Sequence, residues 1–362
     1  MTTPHVFAAG TVGWSDNLLR ADDDAPGVRK RREGFGRAEA GMRLDTRLGD
    51  HRLELDGRAG ATEYFDSGRY DLAEGGVKAR FDLDWNEVDL HGDVGWRRYA
   101  YPQSLQLVGI VRLDVYSAAS WLQAEVGRFG VRTGGYLQVI DYRERELRNL
   151  DHLEYGADIQ LYGRITPKLR GLVEYNFQEV TWRRGRAGTL NDFRTHQVRG
   201  GVDGELTEKV TASLKVGATF QDVRRRVNPD RREFAGLTLG CSVSWRPLVN
   251  TSLSAGWDRS ITPSINSNYL LTDAFSVGIT QRVWEQRISL GANAGYSHAR
   301  VSPGRHLNAI RAGASAAWNI TQWLSVRAGY QFEHLTSAFT LAESAVSDYA
   351  VHEVSMSVGV GF

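Results

Sequence analysis

Segments of about ten residues, in which apolar and polar side chains alternate one for one, fill this chain and leave few folds open to it. In RISLGANAGYSH, Ile288, Leu290, Ala292, Ala294 and Tyr296 form one face, and Arg287, Ser289, Gly291, Asn293, Gly295 and Ser297 form the other. WLSVRAGYQFEH sets Leu324, Val326, Ala328, Tyr330 and Phe332 against Ser325, Arg327, Gly329, Gln331 and Glu333. HRLELDGRAGA, from His51, and VDLHGDVGWRR, from Val88, read the same way. A side-chain period of two belongs to a strand with one dry and one wet face.

Short turns punctuate these segments: LGDH at 48–51, WNEV at 85–88, ITPK at 165–168, LTEK at 206–209, RPLVN at 246–250, VWEQ at 283–286 and ITQW at 320–323. The last five begin 41, 40, 37 and 37 residues apart, the mark of a repeated hairpin. The hairpins are joined by longer polar stretches at 15–34, 66–70, 101–106, 132–151, 184–192, 224–232, 260–268, 299–306 and 336–347. Short periplasmic turns at one end and long extracellular loops at the other are the layout of an outer-membrane barrel. One more hairpin is expected in 107–131, with its turn at Ala118–Ser120. The expectation is an all-β, transmembrane, antiparallel up-and-down barrel of about eighteen strands, or sixteen, forming one domain over 1–362.

Aromatic residues mark where the apolar faces end: Trp85, Trp245, Trp257, Trp284, Trp318 and Trp323, with Tyr175, Phe177, Tyr296, Tyr330 and Phe362. A soluble sandwich alternates too, but has no need of aromatic girdles at two interfaces. A sheet in lipid must satisfy every backbone group and therefore closes, and a barrel this large encloses water. Every second residue then faces water, which accounts for a mean hydropathy of −0.38 in a membrane protein.

A formal net charge of +1 excludes nucleic-acid binding driven by bulk charge. A single cysteine, Cys241, excludes an internal disulfide, and no Cys/His cluster has zinc-ligand spacing, so no metal or cofactor is expected. MTTPHVFAAG carries neither the basic nor the apolar region of a signal peptide, and strand-like sequence directly after Met1 is what removal of an export signal leaves. Outer-membrane localisation is therefore expected.

The predicted inward faces are densely charged along the first half of the chain: Arg37, Glu39, Arg43, Asp45, Arg52, Glu54, Asp56, Arg58, Lys78, Arg80, Asp82, Asp84, Arg112, Asp114, Arg170, Glu174, Arg199 and Asp203. Along the second half they are mostly Gly, Ser, Thr and Asn. Such a lattice acts either as a selectivity surface or as mutual support of the wall, where exposed pairs contribute roughly 0–1 kcal/mol each. Arginines also gather at the predicted extracellular ends: Arg97, Arg98, Arg183, Arg184, Arg186, Arg224, Arg225, Arg226, Arg231 and Arg232. This basic mouth suits an anionic solute or acidic polysaccharide, and equally the phosphates of lipopolysaccharide. In the loop 132–151, Tyr136, Leu137, Val139 and Ile140 are the candidates for an inward-folded constriction. Asp22–Asp24 lack calcium-loop spacing. The histidines are dispersed, with no Ser and carboxylate at matching spacing near His196 or His298, so no catalysis is expected.

The last strand places Val354, Met356, Val358 and Val360 toward lipid and ends on Phe362, the form of an insertion signal read by the barrel-insertion machinery. VGWSDNLLR, LTEKVTASLKVGATFQDVRRR, FAGLTLGCSVSWRPLVNTSLSAGWDRS and WNITQWLSVRAGYQFEH together resemble the putative β-barrel porin 2 family over nearly the whole chain. That resemblance implies an outer-membrane conduit associated with exopolysaccharide export, working with a periplasmic export partner. A general diffusion porin for small solutes is the alternative, and a barrel enzyme a more distant one.

Overall fold

The computed structural model describes residues 2–18, 31–66, 68, 71–102, 110–183, 192–223, 234–263, 269–301, 305–338 and 348–362. One sheet of eighteen antiparallel strands closes on itself. The first six strands are β1 Thr2–Ser15, β2 Glu33–Leu48, β3 His51–Tyr64, β4 Leu72–Asp84, β5 Val88–Pro102 and β6 Ile110–Val126. The next six are β7 Phe129–Tyr142, β8 His152–Arg164, β9 Leu169–Trp182, β10 Phe193–Thr207, β11 Val210–Val223 and β12 Phe234–Leu248. The last six are β13 Thr251–Pro263, β14 Tyr269–Val283, β15 Ile288–Val301, β16 Arg305–Asn319, β17 Leu324–Ala338 and β18 Tyr349–Gly361.

Each strand pairs with its neighbours in sequence, and β1 pairs with β18, so no edge is left with unsatisfied backbone groups. The chain's last residue completes the seam: Val6 N–H donates to the Phe362 carbonyl at 2.9 Å, and Phe362 N–H donates to the Val6 carbonyl at 2.8 Å. Phe362 also stacks on Trp323 at the short-turn end, with ring centroids 6.1 Å apart. Val354, Met356 and Val358 are exposed on the outer face, where lipid covers them.

The alternation reads correctly on most strands. Leu53 and Leu55 of β3 pair with Phe81 and Ala79 of β4 on the outer face, while Asp56 and Glu54 pair with Lys78 and Arg80 on the inner one. The stretch 107–131 differs from expectation. Residues 118–120 lie inside β6, a single strand of 17 residues, and the turn falls at Gly127 and Arg128. Gly127 supplies the left-handed backbone this turn needs, with φ 61°, as Gly49 does at 64° in the first short turn. The strand total survives because 132–142 belongs to β7. Tyr136, Leu137, Val139 and Ile140 therefore form strand rather than a constriction loop, bonded through β7 to Ala119, Ala118, Tyr116 and Val115 of β6.

Two glycines let β10 and β11 approach closely beneath the charged wall. A Cβ on Gly217 would lie 1.9 Å from the Val198 carbonyl oxygen, and one on Gly201 would lie 2.0 Å from that of Leu214. Gly217→Ala should therefore destabilise the folded barrel by about 1–3 kcal/mol, as overpacking against backbone does, measurable by reversible denaturant unfolding in detergent or lipid. Unchanged stability would contradict this close approach.

Strands of 13 to 17 residues exceed the roughly 9–11 needed to cross a membrane, so the wall continues beyond the bilayer at the loop end. There the polarity of its two faces inverts. Outward positions carry ion pairs: Arg98 with Asp114 (2.8 Å), Arg194 with Glu179 (2.7 Å) and Arg259 with Asp273 (2.7 Å). Inward positions are apolar and packed, with Leu335 at 0% exposure and Ala299, Leu307, Ala309, Tyr349 and Val351 around it. Lipid no longer bathes the outer face at this height, so the wall follows the rule for a soluble barrel, wet outside and dry inside.

Candidate functional site: the lumen and its two ends

Within the membrane-spanning part, inward positions of β2 to β11 build a connected lattice of ions. Glu54 lies at its centre on one side, 3.1 Å from Arg52, 3.3 Å from Arg80 and 3.6 Å from Arg43. Arg52 also binds Asp45, Arg43 reaches Asp56 at 3.5 Å, and Lys78 reaches Asp93 at 3.1 Å. Arg37 bridges Glu39 (3.1 Å) and Glu74 (2.9 Å), and Asp82 binds His91. Farther around the wall, Arg170 grips Asp203 through Nε (2.5 Å) and Nη2 (3.0 Å), the fork geometry suited to a carboxylate. Glu174 holds two cations, Arg199 at 2.5 Å and Lys215 at 2.8 Å. These groups come together because directly paired residues on adjacent strands share a face.

Sequence reasoning located most of this lattice and missed some members. Lys215 stands among the small residues of β11, where the alternation Thr211, Ser213, Lys215 already placed it inward. Glu125 of β6, which binds Arg164 and accepts a hydrogen bond from Tyr162 at 2.7 Å, was hidden by the misplaced turn. Two expected members do not belong. Arg112 and Asp114 have the outward parity of β6, shared with exposed Tyr116 and Leu122. Asp114 is bonded there by Arg98 and by Arg143 at 3.1 Å, outside the lumen. Arg58 faces inward without an ion pair among the described residues, and Asp84 accepts the Asn86 N–H of the following turn. In the turn before β9, Lys168 meets Glu205 at 2.7 Å, and this hydrogen bond holds the lysine pKa above its usual value.

Across the lumen, inward positions of β11 to β18 carry small hydroxyls, including Ser213, Ser242, Ser254, Ser276, Ser315 and Ser357. Where the two faces meet, toward the short-turn end, lies a cavity of about 830 Å³. Its lining follows one continuous stretch of wall, from Glu125, Tyr162, Arg170 and Asp203 to Ser213, Ser242, Ser244, Ser254 and Ser276, with Asp203 and Ser213 directly paired.

The loop end is narrowed from the inside. The connection between β7 and β8 folds into a 3₁₀ helix, Arg145–Leu150, whose Leu147 and Leu150 pack on lumen-facing Val180, Trp182, Phe193 and Tyr142. Buried Asp151 fixes the base of this segment: its carboxylate accepts from Tyr142 N–H at 2.7 Å, and its carbonyl from Arg183 N–H at 2.8 Å. The constriction expected in 132–151 thus resides in its second half, on two leucines rather than on Tyr136 to Ile140. Of the basic mouth, Arg97, Arg98 and Arg183 lie among the described residues. Arg97 and Arg98 are successive residues of one strand and point to opposite faces, Arg97 inward over Tyr99 and Arg98 outward. Arg183 is paired with Asp141 at 2.8 Å. Arg184, Arg186, Arg224, Arg225, Arg226, Arg231 and Arg232 lie outside the described residues.

Chemistry of bond-making kind finds little support here. His196 shares a hydrogen bond with the Tyr175 hydroxyl and His298 with Asn308, each at 2.8 Å, on the outer face. Among the described residues no group of three or more His, Cys, Asp or Glu is placed to hold a metal ion.

The fold and the family of the chain agree with this geometry. A family model described as putative beta-barrel porin 2 matches residues 14–362. Among solved structures, the chain is similar to OccK3 (OpdO) of Pseudomonas aeruginosa, with a TM-score of 0.52 and 13% identity over 99% of this chain and 95% of that one. It is similar to OccAB3 of Acinetobacter baumannii, with a TM-score of 0.53 and 10% identity over 100% and 99%. It also resembles the outer membrane protein OpdK of Pseudomonas aeruginosa, with a TM-score of 0.54 and 9% identity over 99% of each chain. No curated protein matches the sequence significantly.

Proposed function

The chain belongs to the putative beta-barrel porin 2 family of outer-membrane proteins, and from that premise we propose that it is a diffusion porin for small solutes. The observation that carries this reading is the lumen: inward faces that are charged along β2 to β11 and rich in hydroxyls beyond, with a cavity of about 830 Å³ where the two meet. Closed barrels of this strand number enclose water, and the polar inward faces keep it there. One solved structure of the same fold, OccK2 (OpdF) of Pseudomonas aeruginosa, is a complex with glucuronate, and a small solute bound by such a barrel supports the same reading. Passage then needs no reaction, only a solute that fits the polar lumen and passes the segment Arg145–Leu150 packed inside the loop end.

Export of a polysaccharide, implied by the resemblance in sequence, gains no support from these neighbours. Its main structural motive was the basic mouth, and the described part of that mouth is split between two faces, with Arg98 and Arg183 held in ion pairs. Lipid and lipopolysaccharide remain the proposed neighbours of the outer wall, and the barrel-insertion machinery the proposed reader of Val354 to Phe362. A deletion strain separates the two readings. Slowed entry of small solutes with normal amounts of secreted polymer is the expected outcome, whereas loss of the polymer with unchanged solute entry would overturn the porin reading.

A further inference from the structure

Two lumenal arginines stand outside the ion lattice, and what they can hold narrows the solutes of the diffusion reading, on which this inference rests. Arg58 of β3 and Arg97 of β5 face inward and are exposed there. Neither has an ion pair among the described residues. The register sets them on either side of one glycine: Gly76 of β4 pairs with Arg58 on one flank and with Arg97 on the other, so all three share the inner face. Two strand spacings put the arginine backbones about 10 Å apart, with no side chain rising between them. Both arginines line one shallow recess of about 20 Å³, together with Arg37, Gly60, Glu74 and Tyr99. That is room for a water-sized group and not for a whole solute.

The carboxylates around the recess are already engaged. Arg37 holds Glu39 at 3.1 Å and Glu74 at 2.9 Å, and the other oxygen of Glu74 accepts from Ala100 N–H at 3.4 Å. Toward the short turns, Lys78 meets Asp93 at 3.1 Å and Arg43 meets Asp56 at 3.5 Å. Arg37, Arg58 and Arg97 therefore face only Glu39 and Glu74, which leaves the recess with one net positive charge. The guanidinium of Arg97 lies 4.6 Å over the Tyr99 ring. Such stacking fixes its plane and leaves the N–H donors at its edge free. A guanidinium edge matches the oxygens of a carboxylate or a phosphate. Trp96 and Tyr116, paired on the outer face beside Arg97, belong to an aromatic belt and set the recess at the loop-end interface of the membrane.

We propose that Arg58 and Arg97 form a binding site for the oxyanion group, carboxylate or phosphate, of a small solute passing through the barrel. The anionic group enters the recess and accepts hydrogen bonds from both arginines, while the rest of the solute stays in the water of the lumen. The engaged glutamates beside it keep the site from holding the anion too tightly to release it.

The test follows glucose, gluconate and inorganic phosphate, a neutral solute, a carboxylate and a phosphate, into liposomes that contain the purified barrel. Glucose entry should rise in proportion to concentration, whereas entry of gluconate, of phosphate or of both should saturate. The anion with the lower half-saturation identifies the group the site prefers. Replacing both arginines, Arg58→Gln with Arg97→Gln, should raise that half-saturation about fivefold, as loss of two solvent-exposed ion pairs does. Glucose entry should be unchanged in this variant, which also reports a folded, open barrel. Arg58→Lys with Arg97→Lys keeps the charge and loses the planar fork, so its half-saturation should fall between the two. Anion entry that stays proportional to concentration, or saturation that these substitutions do not move, would overturn the site and leave the diffusion reading intact. Entry of none of the three probes would overturn the diffusion reading as well.

Discussion

Replacing both Leu147 and Leu150 by serine should raise the single-channel conductance of the barrel about twofold, as releasing a segment packed inside the lumen does. The two leucines anchor the 3₁₀ helix Arg145–Leu150 on Val180, Trp182, Phe193 and Tyr142, and Leu150 is itself buried. Burying one leucine stabilises a contact by roughly 1.5–3 kcal/mol, so losing both removes most of what holds this short segment inward. The barrel itself should survive, because Asp151 and the β7–β8 ladder fix the base of the segment independently. Single-channel recording in planar bilayers reads the change directly. A conductance equal to that of the unaltered protein would show that the segment caps the rim without narrowing the path.

Glu174→Gln should make the barrel anion-selective, with the permeability ratio of chloride over potassium rising about threefold at low salt, where lumenal charge is least screened. Glu174 is buried in the wall and is the one carboxylate shared by Arg199 and Lys215. The substitution keeps the shape of the side chain, removes its charge and leaves two cations facing the water. Reversal potentials under a potassium chloride gradient measure the shift, which should shrink as salt rises. A reversal potential unaffected by the substitution would mean that these charges lie off the conduction path.

The fold was legible because a strict alternation repeats through the chain and a closed barrel is the architecture that satisfies it in lipid. It failed locally where small residues occupy both faces. In β6, Ser117, Ala118, Ala119 and Ser120 erase the difference between inside and outside, and they read as a turn. The true turn carried a signal of its own, Gly127 followed by Arg128, equivalent to Gly49 and Asp50 in the first hairpin. Misplacing it shifted Arg112 and Asp114 to the wrong face and turned part of β7 into a loop.

The site was legible where opposite charges alternate along neighbouring strands, as in Arg52, Glu54 and Asp56 against Lys78, Arg80 and Asp82. The apolar collar was not. Alternation shows that two faces differ and does not show which one is wet, and above the membrane the answer reverses. Val180, Trp182 and Phe193 have the parity of the charged residues below them, and only packing with Leu147 and Leu150 reveals a dry inner surface there. The glutamate shared by Arg199 and Lys215 likewise required the register of β9, β10 and β11, which no single strand contains.

The central claim is that the barrel encloses a hydrated path, and single-channel conductance of the purified protein in a planar bilayer tests it most directly. The account predicts a steady, ohmic conductance that increases when Leu147 and Leu150 are replaced. Silence from the unaltered barrel and from that variant alike would contradict it.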